Sequence, residues 1–104
     1  MPIKFQVNIS RVAERDIEEI WKYIAADSQV EASKFIHAFE NQITTLEQLP
    51  NRCPMIPENE LFGTQNRHLI YGDYRTVFRV SDKTVHILRV VHGARLLDAS
   101  MFET

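Results

Sequence analysis

The spacing of apolar residues changes twice along this chain of 104 residues, and each change marks a new kind of secondary structure. From Ile3 to Ile9 apolar and polar residues alternate, which predicts an N-terminal strand with one buried face. Two stretches at helical spacing follow, over residues 11–26 and 32–49. Alternation returns between residues 68 and 92, which predicts three further strands. The order indicates an α+β fold with an antiparallel helical hairpin packed on an antiparallel β-sheet.

Local signals define the ends of the two helices. Ser10 precedes the first helix, where its hydroxyl can accept a hydrogen bond from an unpaired backbone N–H. Asp27-Ser28-Gln29 interrupts the pattern between the helices, and Pro50 ends the second helix. Because so short a turn joins them, the helices must lie antiparallel. There is no internal repeat or linker, and the length suits one domain over residues 1–104 with a short C-terminal tail.

Residues 50–66 lose all periodicity and carry Pro54, Pro57 and Gly63. A loop of about 17 residues is long for a compact domain. Loops of this length usually bind something or move, so we expect a functional or a mobile segment here.

The last two strands form a hairpin whose register can be predicted from its side chains, with Asp82-Lys83 at the turn. On one apolar face, the predicted facing pairs are Val80 with Val85, Phe78 with Ile87 and Tyr74 with Val91. The other face is cationic with an apolar strip; it comprises Arg75, Val77, Arg79, His86, Leu88 and Val90. Arg89 does not fit, because it falls on the apolar face opposite Thr76. We expect it near a sheet end or paired with an acidic side chain.

Charge and composition exclude several classes of protein. The net charge of −2 is unfavourable for bulk electrostatic binding of nucleic acid, so direct nucleic-acid binding is not expected. The charge is uneven, however, since residues 67–95 carry a net +4 and residues 10–49 a net −4. No apolar run is long enough to span a membrane, and the N-terminus lacks a secretory pattern. One cysteine, and four histidines without ligand spacing, predict a cytoplasmic compartment, no metal site and no cofactor.

The ordered set of motifs resembles the RelE/ParE toxin superfamily over nearly the whole chain. The motifs are Asp16-Ile17-xx-Ile20-Trp21-xx-Ile24 and Ala32-xx-Phe35 on the helices, then Leu49-Pro50, Gly72-x-Tyr74-Arg75-x-Val77-Phe78-x-Val80 and Val91-His92-Gly93-Ala94-Arg95. Each motif is short, and the specificity lies in their order. The last motif is similar to ParE-like rather than RelE-like members.

The resemblance implies the toxin of a type II toxin–antitoxin system. RelE-like members cut messenger RNA in the ribosomal decoding site, whereas ParE-like members poison DNA gyrase. Both are silenced by an antitoxin whose C-terminal segment wraps the toxin. The implied partners are therefore a cognate antitoxin, ParD-like or other, in a hetero-oligomer, and DNA gyrase as the target. A third interpretation is a degenerate, non-toxic module that only binds an antitoxin.

RNA cleavage by 2′-hydroxyl attack needs a base, cations for the developing charge, and an acid for the leaving oxygen. Arg75, His92 and Arg95 are the candidate catalytic residues for that alternative. The set is incomplete, because Met101 and Phe102 stand where the resemblance implies a proton-transferring tyrosine. The loop also carries Glu58 and Glu60, where phosphate binding would favour lysine. We therefore expect a toxin that binds a protein, with no catalytic residues of its own.

A protein-binding toxin should use contacts rather than chemistry. The predicted target-binding residues are Arg75, Arg79, His92 and Arg95. The predicted antitoxin-binding residues are Trp21, Ile24, Phe35, Phe39 and Arg79. A wrapping peptide can lay a helix on the acidic hairpin and add a strand to the cationic sheet. Several of these residues can have a purely structural role instead of a binding role. Arg75 and Arg79 can solvate a strand face, and His92 can hold a structural hydrogen bond. Trp21 is predicted to lie in the core.

Overall fold

A computed structural model describes residues 4–102. The longer elements are β1 (Gln6–Ile9), α1 (Arg11–Asp27), α2 (Gln29–Gln48), β2 (Arg67–Tyr71), β3 (Tyr74–Ser81) and β4 (Thr84–His92). A short helix α3 (Asn59–Phe62) lies in the loop, and single 3₁₀ turns cover Pro50–Arg52 and Ala99–Phe102. The predicted start of the first strand, Ile3, lies outside the described residues.

The strands form one sheet in the order β1-β4-β3-β2, and the helical hairpin packs on one of its faces. This arrangement confirms the predicted α+β fold. The sheet is mixed rather than purely antiparallel, because β1 pairs in parallel with β4 while β2, β3 and β4 pair antiparallel. Parallel neighbours cannot be joined by a tight turn, and here α1, α2, β2 and β3 all lie between β1 and β4 in the chain.

Two serines define the helical hairpin. The Ser10 Oγ accepts a hydrogen bond from Ala13 N–H at 3.0 Å and so caps the start of α1. Ser28 ends α1 and begins α2, because its backbone N–H donates to Ile24 O at 2.9 Å and its Oγ accepts from Glu31 N–H at 3.2 Å. With a single residue between the helices, the chain reverses direction at once.

The predicted register of the last hairpin holds near its turn and fails further on. Val80 faces Val85 and Phe78 faces Ile87, as predicted. Beyond that point Tyr74 faces His92 rather than Val91, and Arg89 lies opposite Val77 rather than Thr76. A β-bulge that leaves Leu88 as an extra residue causes the shift.

The bulge also exchanges the faces of two valines. Val90, predicted on the cationic face, belongs to the core beneath the helices with Phe39 and Phe78. Val91 instead pairs with Arg75 on the opposite face, where it is buried at 2% exposure. A single extra residue reverses which side chains face the helices, since strand side chains alternate.

The core between helices and sheet contains Ala13, Phe35, Phe39, Leu46, Cys53, Phe78, Val85, Ile87 and Val90. Trp21 is 39% exposed, so the prediction that it lies in the core is wrong. Ile20 already occupies the buried stripe of α1, and the next residue of a helix turns about 100° away from it. Within residues 4–102 no helix is long and apolar enough to cross a membrane.

The segment 50–66 is held by its own polar side chains. Asn59 Nδ2 donates to Asn66 O at 2.8 Å, and Asn59 Oδ1 accepts from Thr64 Oγ1 at 2.8 Å and from Asn66 N–H at 2.9 Å. Met55 forms an antiparallel bridge with Arg67, which brings the segment beside β2. These bonds place the start of α3 over the face of the sheet that the helices do not cover.

Candidate functional site

Arg75 does not present its guanidinium to solvent, although the sequence analysis placed it on an open cationic face. Its side chain is buried, and it forms a two-point ion pair with Glu58, from Nη2 to Oε2 at 2.7 Å and from Nη1 to Oε1 at 3.3 Å. The Nη1 atom also lies 3.3 Å from His68 Nδ1. The residue is only 8% exposed, so its use as a surface contact requires Glu58 to move.

Two elements bring this pair together. Arg75 lies on β3 on the face away from the helices, and Glu58 lies just before α3 in the loop that Asn59 organises. Hydrogen bonds from Arg75 lower the pKa of the Glu58 carboxyl, against an opposing effect of burial. The carboxylate therefore stays ionised and neutralises the arginine.

His68 is a site residue that the sequence analysis missed. Burial, reinforced by the charge of Arg75, lowers the pKa of its imidazole and favours the neutral form. The register of β2 against β3 sets Ile70 opposite Arg75 and His68 opposite Val77, so His68 is the diagonal neighbour of Arg75. The turn at Gly72-Asp73 is visible in the sequence, and a register drawn from it would have found this residue.

His92 ends β4 beside the same cluster. Its Nδ1 accepts a hydrogen bond from Ala94 N–H at 3.1 Å, and its ring meets Tyr74 edge to face at 5.6 Å between centroids. Both of these are structural contacts, as one alternative for this residue expected. His92 is nevertheless exposed, and it is among the residues that line both the depression beside Arg75 and the neighbouring one on the α1 side.

These side chains line one open cleft of about 560 Å³. Its polar lining includes Glu58, His68, Asp73, Arg75 and His92, and its walls include Pro57, Ile70 and Tyr74. The cleft thus combines two imidazoles, one neutralised arginine and two carboxylates. Such a set can donate hydrogen bonds to an anion or transfer protons.

The other two predicted target-binding arginines lie apart from this cleft. Arg95 lines a neighbouring depression of about 470 Å³ on the α1 side, which it shares with Glu19, Tyr23 and His92. Arg79 is exposed opposite His86, four residues from Arg75, or about 13 Å along the strand. The structure therefore joins Arg75 and His92, places Arg95 next to them, and leaves Arg79 separate.

The predicted antitoxin-binding residues divide by burial. Phe35 and Phe39 are 6% and 7% exposed and pack beneath the helices, so they offer little surface to a partner. Ile24 is half-buried against the same core. Trp21 and Arg79 are exposed and remain available for contact.

A groove between α2 and β2 was not predicted from the sequence. It has a volume of about 500 Å³, and its lining residues are Lys34, His37, Ala38, Asn41, Gln42, Thr45, Leu69, Ile70 and Tyr71. Ile70 is 63% exposed and Tyr71 46% exposed, which is unusual for large apolar side chains on a strand. The groove therefore offers apolar surface at the edge of the sheet.

The edge of β2 is paired over only part of its length. His68 N–H points away from β3 and donates to Pro54 O at 3.1 Å. Because backbone direction alternates along a strand, the N–H of Ile70 points to the same side, beyond the reach of the Met55 bridge. An extended peptide could continue the sheet from this point.

The C-terminal turn packs against α3 and Arg89. The Phe102 ring packs near Phe62 of α3 at 6.1 Å, and Met101 O accepts a hydrogen bond from Arg89 Nη1 at 3.2 Å. Across residues 4–102, His, Cys, Asp and Glu side chains form no group of three that could hold a metal ion.

A family model described as "ParE toxin of type II toxin-antitoxin system, parDE" matches residues 7–97. The structure resembles the chromosomal ParDE toxin–antitoxin system from P. aeruginosa, with a TM-score of 0.65 and 23% sequence identity over 86% of this chain and 96% of that chain. It also resembles the toxin–antitoxin complex RelBE2 from Mycobacterium tuberculosis, with a TM-score of 0.60 and 26% identity over 86% and 99% of the two chains. Curated protein sequences give no significant match.

Proposed function

Because this chain belongs to the ParE toxin family of type II toxin–antitoxin systems, we propose that it inhibits DNA gyrase by binding it and that a cognate antitoxin neutralises it. The observation that carries the choice of a protein target is the ion pair of Arg75 with Glu58. A phosphate in an RNA transition state needs an available cation. In the described cleft the arginine is already neutralised, which favours binding over phosphodiester chemistry.

The surfaces that remain available suit protein contacts. Arg79 and Arg95 are exposed, and arginine is enriched among the residues that dominate protein interfaces. Trp21 and Tyr23 are also exposed, at 39% and 76%, on the outer part of α1. Aromatic side chains with arginines nearby are typical of interface centres.

We assign the antitoxin to the groove between α2 and β2 and to the outer part of the hairpin. The free edge at Ile70 can accept an added strand, and the groove can hold apolar side chains. The hairpin is acidic and the sheet basic, so an antitoxin should present basic side chains to the first and acidic ones to the second. This arrangement predicts a toxin–antitoxin hetero-oligomer.

The test is inhibition of gyrase supercoiling across a range of toxin doses, with and without the antitoxin encoded beside this gene. The proposal expects dose-dependent inhibition that the antitoxin abolishes. Antitoxin binding without gyrase inhibition or growth arrest would instead support the non-toxic binding module. A groove variant that binds the antitoxin as tightly as the wild type would overturn the assigned surface.

A ribosome-dependent mRNA endonuclease is the second candidate, and one observation favours it. Glu58, His68 and His92 line the same cleft as Arg75, so side chains that can transfer protons lie beside an arginine there. From the sequence alone this set was incomplete, because Met101 and Phe102 stand where a proton-transferring tyrosine is implied. Toeprinting on translating ribosomes separates the candidates: defined cuts that vanish in His92→Gln and Arg75→Ala would replace the gyrase proposal with this one.

A further inference from the structure

Residues 57–65 of the long loop are fixed at both ends but pack little in between. Ile56 and Asn66, which flank them, are each 2% exposed, and Ile56 N–H donates to Asn66 O at 3.0 Å. None of residues 57–65 is buried, and Leu61 of α3 is 82% exposed. The two flanking residues therefore form a buried base, and the residues between them form a small flap above it.

The flap is held together by its own hydrogen bonds. The Asn59 side chain forms two hydrogen bonds with the backbone of Asn66 and one with the hydroxyl of Thr64. In α3, Phe62 N–H donates to Glu58 O at 3.0 Å. These bonds join residues of the flap to one another or to its base, so they stiffen the flap without attaching it to the sheet.

Side-chain contacts attach the flap to the sheet and the C-terminal turn at two points. Across residues 4–102, the hydrogen bonds from the flap to residues beyond its base are those of Glu58 with Arg75, at 2.7 and 3.3 Å. The other point is the pair of rings of Phe62 and Phe102, 6.1 Å apart between centroids. A segment with no buried residue and few outward contacts belongs to the part of a fold that opens locally while the core stays intact.

We infer that the flap opens as one body about Ile56 and Asn66 and thereby controls whether Arg75 is available to a partner. In the closed state Glu58 occupies both terminal nitrogens of the guanidinium, and Arg75 is 8% exposed. Opening removes that carboxylate and lets water solvate the charge in its place. The Glu58 carboxylate is thus an autoinhibitory cover. This inference rests on the proposed function, because it takes the partner to be a protein, for which an exposed arginine is a strong contact.

Exchange of the Arg75 Nε proton with water, followed by NMR, measures the opening. This N–H is buried and has no hydrogen-bond partner among the described residues, so burial alone protects it. In the wild type it should exchange more slowly than the Nε proton of Arg79, which is exposed. Urea below the unfolding transition should barely change the Arg75 rate but should accelerate the slowest amides of β3 and β4. The reason is that the effect of urea scales with the surface that an opening exposes.

Two variants at separate attachment points test whether the flap moves as one body. Glu58→Gln should speed Arg75 exchange about tenfold, through loss of a charge-assisted hydrogen bond. Phe62→Ala should speed it about threefold or more, through loss of the aromatic pair, although Phe62 does not line the cleft beside Arg75. Glu60→Gln and Leu61→Ala are matched controls at exposed positions of the same short helix and should leave the rate unchanged.

Either of two results would overturn the inference. One is an Arg75 rate that follows urea as steeply as the slowest core amides, because Arg75 would then be uncovered only by global unfolding. The other is a Phe62→Ala rate equal to that of Leu61→Ala. These measurements do not involve gyrase, so their failure is distinct from failure of the proposed function. In the supercoiling assay Glu58→Gln should inhibit at a lower dose than Glu60→Gln, and equal doses would contradict the autoinhibitory role of Glu58.

Discussion

Asp16 and Arg89 form a two-point ion pair between α1 and β4, from Arg89 Nε to Asp16 Oδ2 at 2.7 Å and from Nη2 to Oδ1 at 2.9 Å. The same Oδ2 accepts a hydrogen bond from Val90 N–H at 3.0 Å, just beyond the β-bulge. The pair thus binds α1 to the part of β4 that β1 no longer covers. Hydrogen bonds to Asp16 raise the pKa of Arg89 further above neutrality.

Asp16→Ala should lower the free energy of unfolding by about 3–5 kcal/mol, because it leaves a buried arginine without its partner. The side chains of Arg89 and Asp16 are only 12% and 9% exposed, so water cannot replace the carboxylate. Urea unfolding measures the change. Glu18→Ala, which breaks an exposed pair with Lys22, is the control and should cost about 1 kcal/mol or less. Equal effects of the two changes would contradict a structural role for this ion pair.

Glu58→Gln should destabilise the fold in a pH-dependent way. Hydrogen bonds from Arg75 lower the pKa of Glu58 below its ordinary value of 4.5 in the folded chain. A carboxyl with a lowered folded pKa stabilises fully above its unfolded value, and that stabilisation is lost as pH falls through the folded value. The difference between wild type and variant should therefore be largest at neutral pH and shrink below about pH 4.5.

Urea unfolding from neutral pH down to about pH 3 measures this difference. Glu60→Gln is the matched control, since it removes an exposed carboxylate from the same loop. A difference for Glu58→Gln that stays constant over the whole range would show that its charge does not stabilise the fold.

Arg79→Ala and Arg95→Ala should weaken gyrase inhibition, because both arginines are exposed and available to a partner. Loss of an interface arginine costs about 2 kcal/mol, so about 30-fold more toxin should restore inhibition. Arg→Lys should restore it only partly, since lysine lacks the planar fork. Supercoiling assays against dose give the result, and inhibition that no dose restores would indicate a catalytic role.

Arg75→Ala should behave differently from those two variants. Its guanidinium is buried against Glu58, so its removal should first lower the free energy of unfolding. Urea unfolding beside the supercoiling assay separates the two effects. An Arg75→Ala protein with unchanged stability would contradict the burial argument.

Ile70→Glu should weaken antitoxin binding about tenfold or more while leaving the fold intact. Ile70 is 63% exposed at the unpaired edge of β2, and burying an isoleucine in an interface contributes about 1.5–3 kcal/mol. Calorimetry with the antitoxin measures the change. Leu96→Glu is the control, because Leu96 is 93% exposed and lies outside the groove. Equal affinity for the two variants would move the antitoxin to another surface.

Features that depend on neighbours in the chain were predictable from the sequence. The serine cap at Ser10, the break at Asp27-Ser28-Gln29 and the stop near Pro50 follow from side chains within a few residues of each boundary. Hydrophobic periodicity also predicted the hairpin of helices and its packing on a sheet. Helix caps and the burial of one face depend on residues that are close in the chain, so the sequence pattern is enough to predict both.

Features that depend on contacts between distant segments were decided by the tertiary structure. The sequence predicted that Arg89 lies near a sheet end or beside an acidic side chain, but only the fold brings Asp16 to it across 73 positions. The extra residue Leu88 has no local signal, yet it changes the face of every residue from Arg89 to His92.

The candidate site depended on the tertiary structure most of all. Arg75 looked like an exposed strand arginine because the sequence pattern does not show which acidic side chain packs against it. Glu58, 17 positions away, reaches it only because the Asn59 hydrogen bonds fold the loop over that face. Hydrophobic periodicity predicts which face of a helix or strand is apolar. It does not predict the partner of a buried charge, because that partner comes from a distant segment and is decided by three-dimensional packing.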